Sequence, residues 1–262
     1  MTEELLQHQN DGIVTLTLNR PQLRNSISSP TLIDALINAF DRINADKSVK
    51  VAILTGAGKA FCSGGDLNNM HRLLDARAAD PLSTVDYYVA GIQRVARALD
   101  NLEVPIIAAV NGAAVGGGLD LACMCDMRYA AASAKFAENY VRLGLIAGTG
   151  GFWFLPRIVG YAKACELALT GNMFNAEQAL EIGLVARVCA DEDLLPAVNL
   201  LAASIAANPV EALRMAKRLM KDSERTSLRE HLGTVTMMQS LLHTGTHHRE
   251  AVTAFVEKVK PA

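Results

Sequence analysis

The chain has 262 residues, half of them hydrophobic and a fifth charged, with a formal net charge of −2. That length suffices for one domain with a small appendage, and the near balance of charge leaves no global field to draw nucleic acid or an anionic membrane. Five scattered cysteines, of which only Cys123 and Cys125 are close, lack the spacing of a redox or zinc motif. No apolar run approaches the ~20 residues that span a bilayer. The first residues, with Glu3 and Glu4, carry no leader-like stretch, so a reduced, cytoplasmic chain without a membrane span is expected.

Residues 5–9 and 13–19 flank Asn10-Asp11-Gly12, with Val14, Leu16 and Leu18 alternating with threonines, which predicts a β-hairpin. Ser29-Pro30 supplies an N-cap and a first-turn proline for a helix through about Asn44, with Leu32, Leu36, Ala39 and Ile43 on one face. Residues 51–55 read as a buried strand closed by Gly56-Ala57-Gly58. Residues 66–80 are polar and poorly patterned, a helix or a mobile lid. A helix over 85–102, stopped before Pro105, leads to a strand over 104–110, a helix over 117–124 and a strand over 127–131. After a glycine cluster at 144–151, helices dominate, the last four near 191–207, 209–222, 227–242 and 246–258. A repeated strand, glycine turn and helix argues for α/β repeats, and a C-terminal section without strands for a helical appendage.

The glycine turns carry the chemistry. Lys59-Ala60-Phe61-Cys62-Ser63-Gly64-Gly65-Asp66-Leu67 and Asn111-Gly112-Ala113-Ala114-Val115-Gly116-Gly117-Gly118-Leu119-Asp120 each follow an apolar β-branched run and precede helical spacing. Glycine there allows close backbone approach and leaves amide N–H groups unpaired at a helix start, where the dipole favours negative charge. Two such turns meeting at one carbonyl oxygen form an oxyanion hole. Gly112, Gly116 and Gly118 also fit a dinucleotide-binding pattern. That pattern opens on the first strand of its fold, whereas about 110 residues precede it here. It also requires a lysine four residues after a tyrosine; Tyr87, Tyr88, Tyr129, Tyr140 and Tyr161 are followed at that distance by Gly91, Ile92, Ser133, Gly144 and Cys165. The dinucleotide reading fails.

These turns, in order with Asn19-Arg20-Pro21, Asn25-Ser26, residues 105–112, Cys125-Asp126, Phe136 and Gly144, Gly150-Gly151 and Ala254-Phe255-Val256-Glu257-Lys258, resemble the enoyl-CoA hydratase/isomerase, or crotonase, superfamily. The likeness runs from about Ile13 to Lys258. It implies a spiral of ββα repeats over residues 1–200 and a helical trimerisation region over 201–262. It also implies an acyl-CoA substrate whose thioester oxygen is bound by the amides of Gly65 and Gly117, with no cofactor beyond the coenzyme A of the substrate.

Hydratases of this superfamily use two glutamates on one water. The corresponding positions here are Asp120 and Tyr140, so both depart from the pattern. A carboxylate serves as a base at neutral pH, whereas a phenol near pKa 10 is a poor one; one carboxylate suffices to shuttle a proton between carbons. Asp120 also suits a helix first turn, Tyr140 also suits an acyl-pocket wall, and Asp66 suits a helix start. Glu138 reads as a solvated glutamate, or as the replacement carboxylate if the local backbone departs from the pattern. The resemblance assigns Arg24, Ser26, Ser63, Gly65, Asp66, Leu67 and Gly117 to substrate and coenzyme A, and Phe255 and Lys258 to a neighbouring subunit's ligand.

Arg214, Lys217, Arg218 and Lys221 read as a solvated helical face. The six histidines make no metal site, and His71 reads as a surface residue of the lid segment. The leading expectation is hydration of 2-enoyl-CoA. Double-bond isomerisation with Asp120 as sole acid/base is the alternative, and acyl-CoA binding without turnover is the reading from another class. The apolar helical surface beyond Pro209 exceeds what one domain needs, so a homotrimer or a dimer of trimers is expected.

Overall fold

A computed structural model describes residues 3–259. β1 (Leu5–Asn10) and β2 (Ile13–Leu18) form the expected antiparallel hairpin. α1 (Pro30–Ala45) starts on Ser29, whose side chain accepts from the Leu32 amide. β3 (Val51–Gly56) and β4 (Ala60–Cys62) follow, then three short helices, α2 (Leu67–Arg72), α3 (Leu74–Ala79) and α4 (Pro81–Tyr87). The single helix expected over 85–102 is broken: α4 runs through a π turn, Tyr88–Ile92, into α5 (Gln93–Asp100). The break is at Gly91, whose φ of −105° and ψ of −119° no helix contains.

Next come β5 (Ile106–Val110), β6 (Ala113–Val115), α6 (Gly117–Met124), β7 (Met127–Ala131) and β8 (Lys135–Ala137). α7 (Gly151–Val159), α8 (Tyr161–Thr170), β9 (Phe174–Asn175), α9 (Ala176–Glu181) and β10 (Arg187–Cys189) follow. The chain ends in α10 (Leu194–Ala206), α11 (Val210–Asp222), α12 (Leu228–His243) and α13 (Thr246–Val259). Among the described residues no single helix is long and apolar enough to cross a membrane.

The strands divide between two sheets, ordered β1-β2-β3-β5-β7-β10 and β4-β6-β8-β9. Three successive pairs, β3–β4, β5–β6 and β7–β8, each give their first strand to the larger sheet and their second to the smaller. This is the ββα repeat. The strands of β3, β5 and β7 are parallel neighbours, as are those of β4, β6 and β8. β4, β6, β8, β9 and β10, at two or three residues each, are too short to show a periodicity in the sequence.

Burial on both faces explains the unbroken apolar runs of the larger sheet. Alternate residues Ala52, Leu54, Ile106 and Ala108 join the main core with Leu32, Leu36 and Phe40 of α1. Val51, Ile53, Ile107 and Ala109 meet Leu194, Val198 and Ala202 of α10 on the other face.

The basic face of α11 is not the solvated stripe expected from its spacing. Arg214 and Lys217 are buried. Arg214 donates to the carbonyls of Asn44 and Asp46 at 2.8 Å and of Ile43 at 3.3 Å, satisfying the orphan acceptors at the end of α1. Lys217 donates to Val104 O at 2.8 Å and pairs with Asp126 Oδ2 at 2.7 Å; Lys221 reaches the Leu99 and Asp100 carbonyls at the end of α5. Only Arg218 of the four stands in solvent, 3.8 Å from Asp222. Arg214→Ala is therefore expected to cost about 3 kcal/mol in denaturant unfolding, because it strands one buried and two part-buried carbonyls, and Arg218→Ala less than about 0.5 kcal/mol. Equal, small losses in both variants would show that the α11 cations do not hold the helix ends.

Candidate active site

The carboxyl ends of the small parallel sheet deliver the site. β4 runs into Ser63-Gly64-Gly65, β6 into Gly116-Gly117, and β8 into Glu138 and Tyr140. Parallel pairing of Ala114 with Phe136 and Val115 with Ala137 fixes the second and third ends side by side.

The first two turns touch. Gly64 has φ +74°, and a Cβ there would lie 2.6 Å from Val115 O and 2.8 Å from Gly117 N, so only glycine permits the approach. The Gly64 carbonyl accepts from Ile27 N at 3.0 Å, and Ser63 N donates to Arg24 O at 2.9 Å. Neither Gly65 N–H nor Gly117 N–H finds an acceptor among the described residues, and Gly117 opens α6. Two free donors thus sit on adjoining turns, the arrangement that holds a developing oxyanion. Met70 of α2 lies over Gly65, its methyl 2.2 Å from where a Cβ would be.

Asp120, in the first turn of α6, is fully buried. Its Oδ2 accepts from Tyr140 Oη at 2.7 Å and from Thr149 Oγ1, and those two hydroxyls are 3.0 Å apart. Tyr140 Oη also stands 3.4 Å from the Cβ position of Gly117, which ties this cluster to the donor pair. Glu138 corrects an expectation: it is 1% exposed, not a solvated glutamate. It lies two residues beyond Phe136 and so returns to the inward face of the strand. A Cβ on Gly151, the first residue of α7, would meet Asp120 Oδ1 at 2.1 Å and Glu138 Oε1 at 2.7 Å. Both carboxyls therefore converge on the Gly151 backbone.

Burial raises the pKa of Asp120 above the ordinary carboxylate value, against the opposing bonds from Thr149 and Tyr140. Burial, then the adjoining Asp120 charge, raises Glu138 further, and the same two causes keep the Tyr140 phenol protonated. Two carboxylates this close do not both ionise. Asp120, with two hydroxyls on it, is the one that bears the charge.

Of the other residues singled out from sequence, Asp66 caps α2, accepting from Asn68 N at 2.9 Å and Asn69 N at 3.3 Å, while its own N–H donates to Ser28 Oγ. Ser26 is buried, its hydroxyl 3.0 Å from that of Ser28. Arg24 and Leu67 are exposed and Ser63 half-buried beside the first turn. His71 is exposed on α2. Phe255 stands in solvent on α13, a helix packed on α12, and the Lys258 side chain lies outside the described ones. Thr149 and Gly151 went unassigned in sequence; the glycine cluster around them was the available signal.

A family model described as enoyl-CoA hydratase/isomerase matches residues 8–262. The 1,2-epoxyphenylacetyl-CoA isomerase of Escherichia coli K12 is 38% identical, covering 100% of this chain and 98% of its own. The crotonyl-CoA hydratase of Syntrophomonas wolfei is 35% identical, covering 98% and 96%. The crystal structure of an enoyl-CoA hydratase from Bacillus anthracis superposes with a TM-score of 0.89 at 34% identity, covering 99% of this chain and 98% of the other.

Gly151→Ala leaves the backbone unstrained yet drives a methyl into both carboxyls. The variant should fold, judged by circular dichroism, and lose about 10²-fold in turnover of enoyl-CoA thioesters, the scale of a small misplacement of a reacting group. Wild-type turnover would contradict the convergence of Asp120 and Glu138 on this residue.

Proposed function

This chain belongs to the enoyl-CoA hydratase/isomerase family, and on that premise we propose that it moves the double bond of an enoyl-CoA by carrying a proton on Asp120. The observation that carries the reading is the charge state of the site: one carboxylate ringed by neutral hydroxyl donors, in a fully buried position. Asp120 takes the C2 proton of a 3-enoyl thioester. The electron pair passes into the carbonyl, and the amides of Gly65 and Gly117 hold the resulting oxyanion. Asp120 then returns the proton at C4, leaving the 2-enoyl thioester. No co-reactant enters.

Hydration asks for more, since water must be oriented and deprotonated while carbon is protonated. The family's second glutamate is Tyr140 here, whose phenol stays protonated. Arg24, Ser63 and Leu67 are assigned to the coenzyme A moiety, with Ser26 and Asp66 bracing the turn beneath it.

Leu228, Met237 and Leu241 of α12 and Phe255 of α13 are exposed, which supports burial against further copies of the chain. On this reading a homotrimer or its dimer seats Phe255 and Lys258 near a neighbouring ligand. Sedimentation equilibrium at micromolar concentration should give three or six chains, and a monomer would contradict the assembly.

Because Asp120 must be ionised to accept the proton and burial raises its pKa to about 6, kcat/KM on a 3-enoyl-CoA should fall as pH drops through that value. Asp120→Asn should lower isomerisation by at least ~10³-fold while leaving thioester binding nearly intact. Product analysis by mass spectrometry decides the reaction. A 3-hydroxyacyl adduct as the main product, or full activity in Asp120→Asn, would overturn the assignment.

A further inference from the structure

The proton transfer described above makes no use of Glu138, yet the fold buries that carboxyl beside the base. Both of its oxygens lack an aligned hydrogen-bond donor, and so does Asp120 Oδ1. All three atoms are buried, and Asp120 Oδ1 and Glu138 Oε1 face the same point at the Gly151 backbone. Asp120 Oδ2, by contrast, is occupied by Tyr140 and Thr149. An anionic oxygen buried without an aligned donor is costly; the Gly151 amide acts on Asp120 from the backbone, and the side chain beside Oδ1 able to supply a proton is Glu138.

We infer that Glu138 is a neutral carboxylic acid whose proton is directed at Asp120 Oδ1, so that the two carboxyls carry one negative charge between them and Glu138 positions and tunes the base. The inference rests on Asp120 being the base of the proposed reaction. Every group acting on the pair agrees with a single shared charge. Tyr140 is a protonated phenol. The buried thiols of Cys62 and Cys123 are pushed up by burial, that of Cys62 to about 12. Among the described groups that act on either carboxyl none is a cation. Burial keeps Glu138 protonated and like-charge repulsion reinforces it. During turnover the Glu138 proton stays on Glu138. Asp120 alternates between carboxylate and acid, and the donor on Oδ1 keeps its basicity below that of a bare buried carboxylate.

The consequence for stability has a definite sign. A carboxyl whose folded pKa is raised contributes stability that is fully present below the ordinary glutamate range and lost as pH rises through the raised value. Glu138→Gln, which cannot ionise, should therefore gain in stability relative to wild type as pH increases through neutrality.

Infrared spectroscopy of the whole protein at neutral pH provides the direct test. Wild type should show the deuterium-sensitive carbonyl band of a buried neutral carboxylic acid, and folded Glu138→Gln should lack it. Absence of the band in wild type, or its survival in Glu138→Gln, would overturn the inference. The positioning role is read from the acid limb of kcat/KM. Glu138→Gln keeps an N–H donor and should hold that limb near its wild-type position, whereas Glu138→Met removes the donor and should move it up by about one pH unit. An unmoved limb in Glu138→Met would overturn the tuning of Asp120. A protein with the expected band and stability profile that adds water instead would overturn the reaction proposed above and leave the shared proton standing.

Discussion

At the meeting of the two glycine turns, a methyl on Gly64 would stand 2.6 Å from Val115 O and 2.8 Å from Gly117 N, closer than real side-chain carbons come. That contact depends on β4 and β6 lying parallel, so that their carboxyl ends open at one level. It leaves the amides of Gly65 and Gly117 without acceptors among the described residues, and it sets the start of α6, and hence Asp120, beside them. β8, paired to β6 in the same sense, brings Tyr140 and Glu138 to that level. The larger sheet and α10 supply the apolar burial that pins these ends in place.

The chemistry follows from what this frame admits. Free N–H groups at a helix start favour an oxyanion, and a single ionised carboxylate within a buried cluster suits the proposed carriage of one proton. The hydroxyls of Tyr140 and Thr149 lie on Asp120, and with Glu138 neutral as inferred above they stabilise the charge without neutralising it. A cation in their place would have depressed the basicity of Asp120 and favoured an inert ion pair.

Much of this was legible in the chain. The hairpin, α1, α6 and β7 follow directly from turn residues, capping and apolar spacing, and the family resemblance anticipated the ββα repeat that periodicity alone could not reveal. The break at Gly91 was hidden because an isolated glycine does not itself end a helical pattern. The smaller sheet was hidden because strands of two or three residues have no period. That omission mattered for the site: without β8, Glu138 had no face and read as solvated, although its spacing from Phe136 held the signal. Likewise the cations of α11 have helical spacing whether they face water or the carbonyls ending α1 and α5. Only the packed partner distinguishes the two.

The central claim is that Gly65, Gly117 and Asp120 together generate a thioester enolate. Solvent exchange isolates that step from any choice between hydration and isomerisation. A saturated acyl-CoA, which can do neither, is incubated with the protein in deuterium oxide and its mass followed. The account predicts enzyme-dependent incorporation of deuterium at C2, abolished in Asp120→Asn although the thioester still binds. Binding of the thioester with no exchange above the uncatalysed background, or equal exchange in Asp120→Asn, would contradict it.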